Sequence, residues 1–166
     1  MPGCGKTTLG KKLAESLGIA FYDLDELIEE NQLKPIAVIF SESGEQYFRK
    51  IEREILVSFL ANHIGQNYIL SLGGGTVCFF DSIQKIKDIG EIVFLNSTIE
   101  IIAANLKGAE KKRPMFSSLA IEDLQKRLKV LFENRKQAYE NANHIIQFNN
   151  NLDESVSEIV NIFNAQ

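Results

Sequence analysis

The chain begins with Met1-Pro-Gly-Cys-Gly-Lys-Thr-Thr8, which ends in the Gly-Lys-Thr of a phosphate-binding loop. In such a loop, glycines let backbone N–H groups close around phosphate oxygens, the lysine reaches the terminal phosphates, and the threonine hydroxyl holds Mg²⁺. Apolar side chains then recur at helical spacing as far as Leu17. The sequence therefore predicts a helix whose N-terminus faces the phosphates, where the helix dipole favours anions.

The loop pattern is incomplete at its start. The first glycine of G-x-x-x-x-G-K-[ST] would fall one position before Met1, and the sequence has no buried strand leading into the loop. Met1 would then be an internal methionine or the remnant of a shortened gene, and the alternative is a chance Gly-Lys-Thr tripeptide. A chain without this central strand is expected to be marginally stable and weakly active, with a thermal transition below roughly 50 °C.

Length and composition favour one ordinary globular domain. The chain has 166 residues, of which 45% are hydrophobic and 24% are charged. A net charge of −4 and a pI near 5.3 argue against a nucleic-acid-binding protein. Cys4 and Cys78 are too few for a disulfide framework, and no signal peptide or membrane-spanning run is visible. We therefore expect a cytoplasmic protein without membrane or nucleic-acid partners.

The rest of the chain alternates short apolar strands with amphipathic helices. Strands are predicted at residues 19–22, 68–72, 91–95 and 144–148. Helices are predicted at residues 8–17, 25–31, 35–40, 45–62, 81–89, 98–106, 121–141 and 152–164. Gly18 is expected to cap the first helix and Gly44 to break the third. This alternation indicates an α/β fold with a parallel sheet and helices on both faces.

Candidate ligand-binding residues follow the strands, because sites in open α/β sheets gather at the carboxyl ends of the strands. Asp23 and Asp25 follow one strand on alternate sides, so Asp23 can approach a metal beside Thr7 while Asp25 reaches an acceptor substrate. The alternative role for such acids is capping a helix. Gly73-Gly-Gly75 follows the next strand and lets a ligand approach the backbone, although it could also be a plain turn.

Two arginines on predicted helices are candidate carboxylate ligands. Arg49 lies in Phe48-Arg-Lys-Ile-Glu52 and Arg135 in Glu133-Asn-Arg-Lys-Gln-Ala-Tyr139. Each could instead pair with a neighbouring acid on the surface. If they converge on one pocket, their bidentate guanidinium groups would suit a carboxylate in a way that lysine cannot match.

Together these motifs resemble the shikimate kinase family. Their order along the chain is Gly-Cys-Gly-Lys-Thr-Thr, Asp-Leu-Asp, Phe-Arg-x-x-Glu, Gly-Gly-Gly-Thr, Arg-Pro in a basic loop, and Glu-x-Arg-x-x-x-Tyr. The resemblance extends from Pro2 to Phe163. It implies a single domain with a three-layer P-loop kinase fold of the nucleoside-monophosphate-kinase type. The family's parallel sheet has the order 2-3-1-4-5, and its first strand is the one missing here.

The resemblance also implies the reaction: ATP- and Mg²⁺-dependent phosphorylation of the 3-hydroxyl of shikimate, a step of chorismate and aromatic amino-acid biosynthesis. The implied ATP-binding residues are Gly3, Cys4, Gly5, Lys6, Thr7, Thr8 and Arg113. The implied shikimate-binding residues are Asp25, Arg49, Gly73, Gly74, Gly75 and Arg135. Lys6, Asp25 and Arg113 would be catalytic, with Asp25 accepting the proton of the attacking hydroxyl. Thr7 would bind Mg²⁺, and Asp23 would support the metal through water.

The same resemblance implies roles for two segments of the chain. Residues 107–119 would be a lid whose Arg113 closes over the transferred phosphoryl group, and residues 25–62 would be the shikimate-binding helical region. Glu52 would orient Arg49 from the next helical turn. The alternative for the basic loop is a solvated surface. The adenine-contacting arginine of some members has no clear match at Leu106-Lys-Gly108.

Two other functions remain open from the sequence. A gluconate-type kinase would use the same scaffold and also act on a small carboxylated polyol. A degenerate, non-catalytic homologue would explain the incomplete loop, although the retained Lys6, Thr7, Asp25, Arg49, Arg113 and Arg135 oppose it. A kinase of this size needs no partner subunit to complete its site, so a monomer is expected.

Overall fold

The computed structural model of the chain describes residues 1–108 and 119–164. Within these residues there are seven α-helices: α1 (Lys6–Leu17), α2 (Leu24–Gln32), α3 (Ile36–Asn62), α4 (Ser82–Lys87), α5 (Ile99–Gly108), α6 (Ile121–Glu140) and α7 (Leu152–Asn164). The strands are β1 (Ala20–Asp23), β2 (Tyr68–Ser71), β3 (Val93–Asn96) and β4 (His144–Gln147). A 3₁₀ turn spans Thr76–Cys78.

The chain divides into two compact units. The first unit comprises Met1–Leu9 together with Val93–Gln166, and the second comprises Gly10–Ile92. Helix α1 therefore begins in the first unit and continues into the second. We describe each unit separately.

The first unit contains a parallel pair of strands. Strand β3 pairs with β4 in a register that places Phe94 opposite Ile145 and Leu95 opposite Ile146. Its core side chains are almost wholly buried, and they include Ile102, Leu106, Leu124, Leu128, Ile146 and Ile159. Burying apolar surface of this extent is the main stabilising contribution to such a unit.

The second unit contains the other parallel pair. Strand β1 pairs with β2, with Phe21 opposite Ile69 and Asp23 opposite Ser71. Its most deeply buried side chains are Leu24, Ile28 and Leu56. Helix α3 bends at Gly44, whose φ of 76° and ψ of 175° interrupt the helical path. A left-handed φ of this kind favours glycine, so the residue fixes the position of the bend.

The α/β fold with parallel strands and helices predicted from the sequence is confirmed. In the order that the resemblance implies, β1 and β2 would be the second and third strands, and β3 and β4 the fourth and fifth. Each pair forms its own two-stranded sheet among the described residues. Gly18 ends α1 with a φ of 66°, as predicted, and the N–H of Ile19 donates to the carbonyl oxygen of Ala14 at 3.0 Å.

One helix differs from its prediction. The sequence predicts a helix at residues 81–89 with Asp81 as its candidate cap, but α4 ends at Lys87 and the Asp81 side chain makes no capping hydrogen bond. That carboxylate instead accepts two hydrogen bonds from Arg53.

Across the described residues, no helix is both long enough and apolar enough to cross a bilayer.

Candidate active site

The predicted phosphate-binding loop lies in the first unit, immediately before α1. Gly3 and Gly5 have φ angles of 75° and 87°, in the left-handed region. Lys6 is the first residue of α1, and the N–H of Leu9 donates to the carbonyl oxygen of Gly5 at 2.9 Å. The loop therefore turns its backbone at the N-terminus of a helix, the geometry in which N–H groups bind phosphate.

Packing explains why both loop positions are glycine. A Cβ at Gly3 would stand 2.7 Å from Cγ of Leu106, and a Cβ at Gly5 would stand 2.7 Å from Cε1 of Phe148. The side-chain amide of Asn105 donates to the carbonyl oxygen of Gly3 at 3.0 Å and so fixes the loop to α5. The loop conformation thus depends on neighbours that no phosphate-loop motif specifies.

Lys6 is folded back over the loop. Its Nζ donates to the carbonyl oxygen of Met1 at 2.8 Å and lies 3.9 Å from Sγ of Cys4. Burial alone would raise the pKa of the Cys4 thiol, but the positive charges of Lys6 and the Met1 amino group, with their hydrogen bonds, hold that pKa below its usual value. Lys6 therefore places a positive charge at the loop, which suits an anion.

Arg135 lies near the same loop, on α6. The pKa of the Met1 amino group is lowered to about 6, chiefly because the group is buried, and the charges of Lys6 and Arg135 contribute to the lowering. Tyr139, one turn further along α6, is buried, stacks on Phe94 and donates to the sulfur of Met1 at 3.6 Å. These contacts hold the Arg135 segment of α6 beside the start of the loop.

The acidic pair Asp23 and Asp25 lies in the second unit, where β1 meets α2. Asp23 is the N-cap of α2, and its Oδ1 accepts a hydrogen bond from the backbone N–H of Asp25 at 3.0 Å. The capping role that the sequence left open is thus real for Asp23. Asp23 therefore stabilises the start of α2, and its part in holding a metal stays a prediction.

Asp25 lies against the triple glycine. A Cβ at Gly73 would stand 3.1 Å from Oδ1 of Asp25, 2.9 Å from Oε1 of Glu52 and 3.0 Å from Oγ1 of Thr76. Any side chain at position 73 would displace these three oxygens. Gly73 therefore lets the loop approach the carboxylate that was predicted to bind the substrate hydroxyls.

Arg49 is the other predicted substrate ligand in this unit, and it lies at the opposite end of the triple glycine. A Cβ at Gly75 would stand 2.7 Å from Nη2 of Arg49. The guanidinium is buried, and its Nη1 donates to Oε2 of Glu52 at 2.7 Å. The predicted pairing of Arg49 with Glu52 is therefore present in the structure.

Further contacts hold the Arg49 guanidinium in place. Its centre lies 4.5 Å from the ring centroid of Phe79 and 4.9 Å from that of Phe48. Its Nε and Nη2 both lie 3.3 Å from Oε1 of Glu45, a half-exposed carboxylate. These bonds and the Glu52 bond use three of the five guanidinium N–H donors, so donors remain for a ligand carboxylate.

Sequence reasoning missed several of these contacts. Thr76 was recognised only as part of the Gly-Gly-Gly-Thr motif, yet its Oγ1 donates to Oε1 of Glu52 at 2.7 Å. Phe79 and Glu45 lie outside the motifs quoted for the site. Glu45 lies four residues before Arg49, a spacing that places both side chains on one face of a helix, whereas the 3₁₀ turn at residues 76–78 is what brings Thr76 and Phe79 to α3.

Some predicted groupings cannot be described from either unit alone. Thr7 and Arg135 belong to the first unit, whereas Asp23 and Arg49 belong to the second. Two pairings therefore stay predictions. One is the pairing of Thr7 with Asp23 at a metal, and the other is the pairing of Arg49 with Arg135 at a carboxylate. Arg113 lies outside the described residues.

The donor set for a metal is small. No cluster of three or more His, Cys, Asp or Glu side chains that could hold a metal occurs in residues 1–108 and 119–164. Thr7 carries a hydroxyl and Asp23 a carboxylate, which are oxygen donors of the kind that Mg²⁺ binds, and their joint site stays a prediction. This ion takes oxygen ligands, keeps several waters, and relies on substrate phosphates rather than an all-protein cage.

Comparisons with known proteins point to one family. The shikimate kinase family model matches residues 2–164. A shikimate kinase of Persephonella marina is 37% identical over 140 residues, which cover 84% of this chain and 80% of the relative. The crystal structure of a Bacteroides thetaiotaomicron shikimate kinase superposes with a TM-score of 0.86 at 29% identity, covering 98% of this chain and 93% of the other.

A second similar solved structure contains a bound ligand. It is a shikimate kinase from Acinetobacter baumannii in complex with shikimate, with a TM-score of 0.85 and 27% identity over 99% of this chain and 89% of the other. The matches span nearly the whole chain and include the phosphate-binding loop and both arginine-bearing helices. The chain therefore belongs to the shikimate kinase family.

Proposed function

We propose that this protein transfers the γ-phosphoryl group of ATP to the 3-hydroxyl of shikimate. The observation that carries the proposal is the arrangement around the triple glycine, with the Asp25 carboxylate against Gly73 and the Arg49 guanidinium against Gly75. An acid at one end and a cation at the other suit a small molecule that carries hydroxyls on one side and a carboxylate on the other. Membership of the shikimate kinase family supports the same assignment.

The nucleotide would bind at the loop of the first unit. The backbone N–H groups around Gly3 to Thr8 would surround the phosphates, and Lys6 would leave the carbonyl oxygen of Met1 to reach the terminal phosphates. Thr7 would bind Mg²⁺ directly and Asp23 through water. When bound, the ion neutralises charge on the phosphate oxygens. Positioning and charge neutralisation supply most of the catalysis in phosphoryl transfer.

The acceptor would bind in the second unit. Arg49 would hold the shikimate carboxylate, helped by Arg135, and the backbone of Gly73 to Gly75 would line the pocket. Asp25 would hold the hydroxyls and take the proton of the 3-hydroxyl as its oxygen attacks the γ-phosphorus. The bond from the γ-phosphorus to the bridging oxygen then breaks and ADP leaves.

Several finer points of the proposal follow from the family alone. Arg113 would act from a lid at residues 107–119, stabilising charge on the transferred group while the lid excludes water. The protein would work as a monomer in the cytoplasm, where Cys4 and Cys78 would stay reduced. The product would enter chorismate and aromatic amino-acid biosynthesis.

An acceptor panel tests this function. ADP release would be measured with purified protein, ATP and Mg²⁺ in the presence of shikimate, gluconate or no acceptor. Release that depends on shikimate, and that stops when EDTA removes Mg²⁺, is the expected result. Release that depends on gluconate would favour the gluconate-type kinase. No ADP release with either acceptor, in a folded sample that binds ATP, would favour a non-catalytic binding module.

A further inference from the structure

We propose that Thr76 is a positioning residue that aims Arg49 at the substrate carboxylate by fixing Glu52. The inference rests on the proposed function, because it concerns how this site distinguishes a carboxylate. Thr76 touches no predicted reacting atom, so it would act only through Glu52. It lies in the first turn after the triple glycine, as the first residue of the 3₁₀ segment Thr76–Cys78.

The link between Thr76 and Glu52 is buried and short. Oγ1 of Thr76 donates to Oε1 of Glu52 at 2.7 Å, and the two residues are 1% and 2% exposed. Water cannot easily replace this bond at such depth. A hydrogen bond to a buried charged group contributes more than a neutral one, and losing it leaves the charge undersolvated.

The link between Glu52 and Arg49 uses the other carboxylate oxygen. Oε2 of Glu52 accepts from Nη1 of Arg49 at 2.7 Å. The carboxylate is therefore held at both oxygens, by a neutral hydroxyl on one and by the guanidinium on the other. With only the guanidinium left, the carboxylate could rotate about its terminal torsion, which is a soft one. The Glu52 carboxylate would then no longer fix the plane of the Arg49 guanidinium group.

The hydroxyl also lies at the glycine loop. A Cβ at Gly73 would stand 3.0 Å from Oγ1 of Thr76, and the N–H of Thr76 is 3.2 Å from the carbonyl oxygen of Gly73. One side chain thus fixes the loop that lines the predicted pocket and the acid that orients its arginine. Threonine restricts its own χ1 rotamer, which suits a fixed donor.

The test separates the hydroxyl of Thr76 from its methyl group. Thr76→Val keeps the shape and removes the hydroxyl, Thr76→Ser keeps the hydroxyl, and Thr76→Ala removes both. Each variant is assayed with shikimate and with shikimate methyl ester, which cannot offer a carboxylate to Arg49. The measured quantity is the ratio of kcat/KM for the acid to that for the ester, together with KM for ATP and the melting temperature.

The expected result is a ratio that follows the hydroxyl. Thr76→Val and Thr76→Ala should reduce the acid-to-ester ratio by about tenfold, the effect of a lost charge-assisted bond, while KM for ATP stays the same. Thr76→Ser should keep the wild-type ratio. If Thr76→Val does not fold, comparing Thr76→Ser with Thr76→Ala still contrasts a variant that keeps the hydroxyl with one that lacks it. Ser155→Ala, which removes a buried hydroxyl from α7, is the control for general destabilisation.

Two results would overturn the inference. One is a ratio that follows the methyl group, falling in Thr76→Ser and Thr76→Ala but not in Thr76→Val. The other is an unchanged ratio in every variant, even where melting temperatures fall, which would make Thr76 a structural residue only. A wild-type protein with no shikimate-dependent turnover would instead refute the proposed function, so the two failures can be told apart.

Discussion

Gly75 lies directly against the guanidinium group of Arg49. A Cβ at position 75 would stand 2.7 Å from Nη2 and 3.0 Å from Cζ. The φ of Gly75 is −111°, which any residue can adopt, so glycine is required here for space and not for backbone conformation. This contact gives a substitution whose effect should come from displacing the arginine alone.

We predict that Gly75→Ala weakens binding of shikimate and leaves binding of ATP unchanged. The added methyl must push aside a buried guanidinium held by Glu52 and two aromatic rings, and overpacking of this kind costs about 1–3 kcal/mol. KM for shikimate should therefore rise by about tenfold or more, as measured by steady-state ADP release. The matched control is Gly90→Ala, because a Cβ there meets no atom closer than 3.9 Å. An equal rise in KM for both substrates would contradict the prediction.

Asp25→Asn should abolish most turnover while leaving nucleotide binding intact. The amide keeps the shape beside Gly73 but cannot accept the proton of the attacking hydroxyl. Loss of a general base typically lowers kcat by about 10²–10⁴-fold. ADP release measures the turnover, and calorimetric titration with ATP measures binding. Glu26→Gln, at the neighbouring exposed position of α2, is the control and should behave like the wild type. Full turnover in Asp25→Asn would rule out its role as the base.

The pair of Arg53 and Asp81 should make a pH-dependent contribution to stability. Hydrogen bonds from Arg53, at 2.8 Å and 3.1 Å, hold the pKa of Asp81 below its usual value of 3.8. A lowered acid pKa in the folded state gives a contribution that is present above the unfolded pKa and is lost as the pH falls through the folded pKa. The wild type should therefore have a higher urea midpoint than Asp81→Asn at pH 7.

That difference in urea midpoint should shrink below pH 4 and vanish once Asp81 is protonated. Urea titrations at pH 7, 4.5 and 3 would follow it. Glu54→Gln is the control, since the contact between Glu54 and Lys50 is 3.9 Å long and both side chains are exposed. Exposed ion pairs of that kind contribute little to stability, so no pH-dependent difference in urea midpoint is expected for Glu54→Gln. A difference for Asp81→Asn that grows on acidification would contradict the assignment.

The sequence predicted the strands and helices well because their signals are local. Gly18 and Gly44 were placed correctly at a helix end and a helix break, since both need a left-handed φ that glycine adopts readily. Thr98 begins the helix predicted at residues 98–106, and its Oγ1 accepts a hydrogen bond from the N–H of Ile101 at 3.3 Å, as an N-cap does. Such features depend on neighbours within a few residues.

The misassigned features depend on distant residues. Asp81 lies at the start of α4, but the guanidinium of Arg53, 28 positions away, offers its carboxylate two charge-assisted bonds and so competes with capping. The bond from Thr76 to Glu52 likewise joins residues 24 positions apart. The chemistry of Asp25, Arg49 and the triple glycine could be predicted from the sequence through family resemblance. The pairing of Arg49 with Glu52 could also be predicted, but the contacts from Thr76 and Phe79 could not.

The most direct test of the account is shikimate-dependent ADP release by the wild-type chain and by Lys6→Ala, with the phosphorylated product identified by NMR. We predict one ADP for each shikimate 3-phosphate formed, and a loss of about 10²–10³-fold in kcat when Lys6 is removed. Lys11→Ala, which changes an exposed lysine of α1, should retain activity. ADP formed without shikimate 3-phosphate, or turnover that does not need Lys6, would contradict the account.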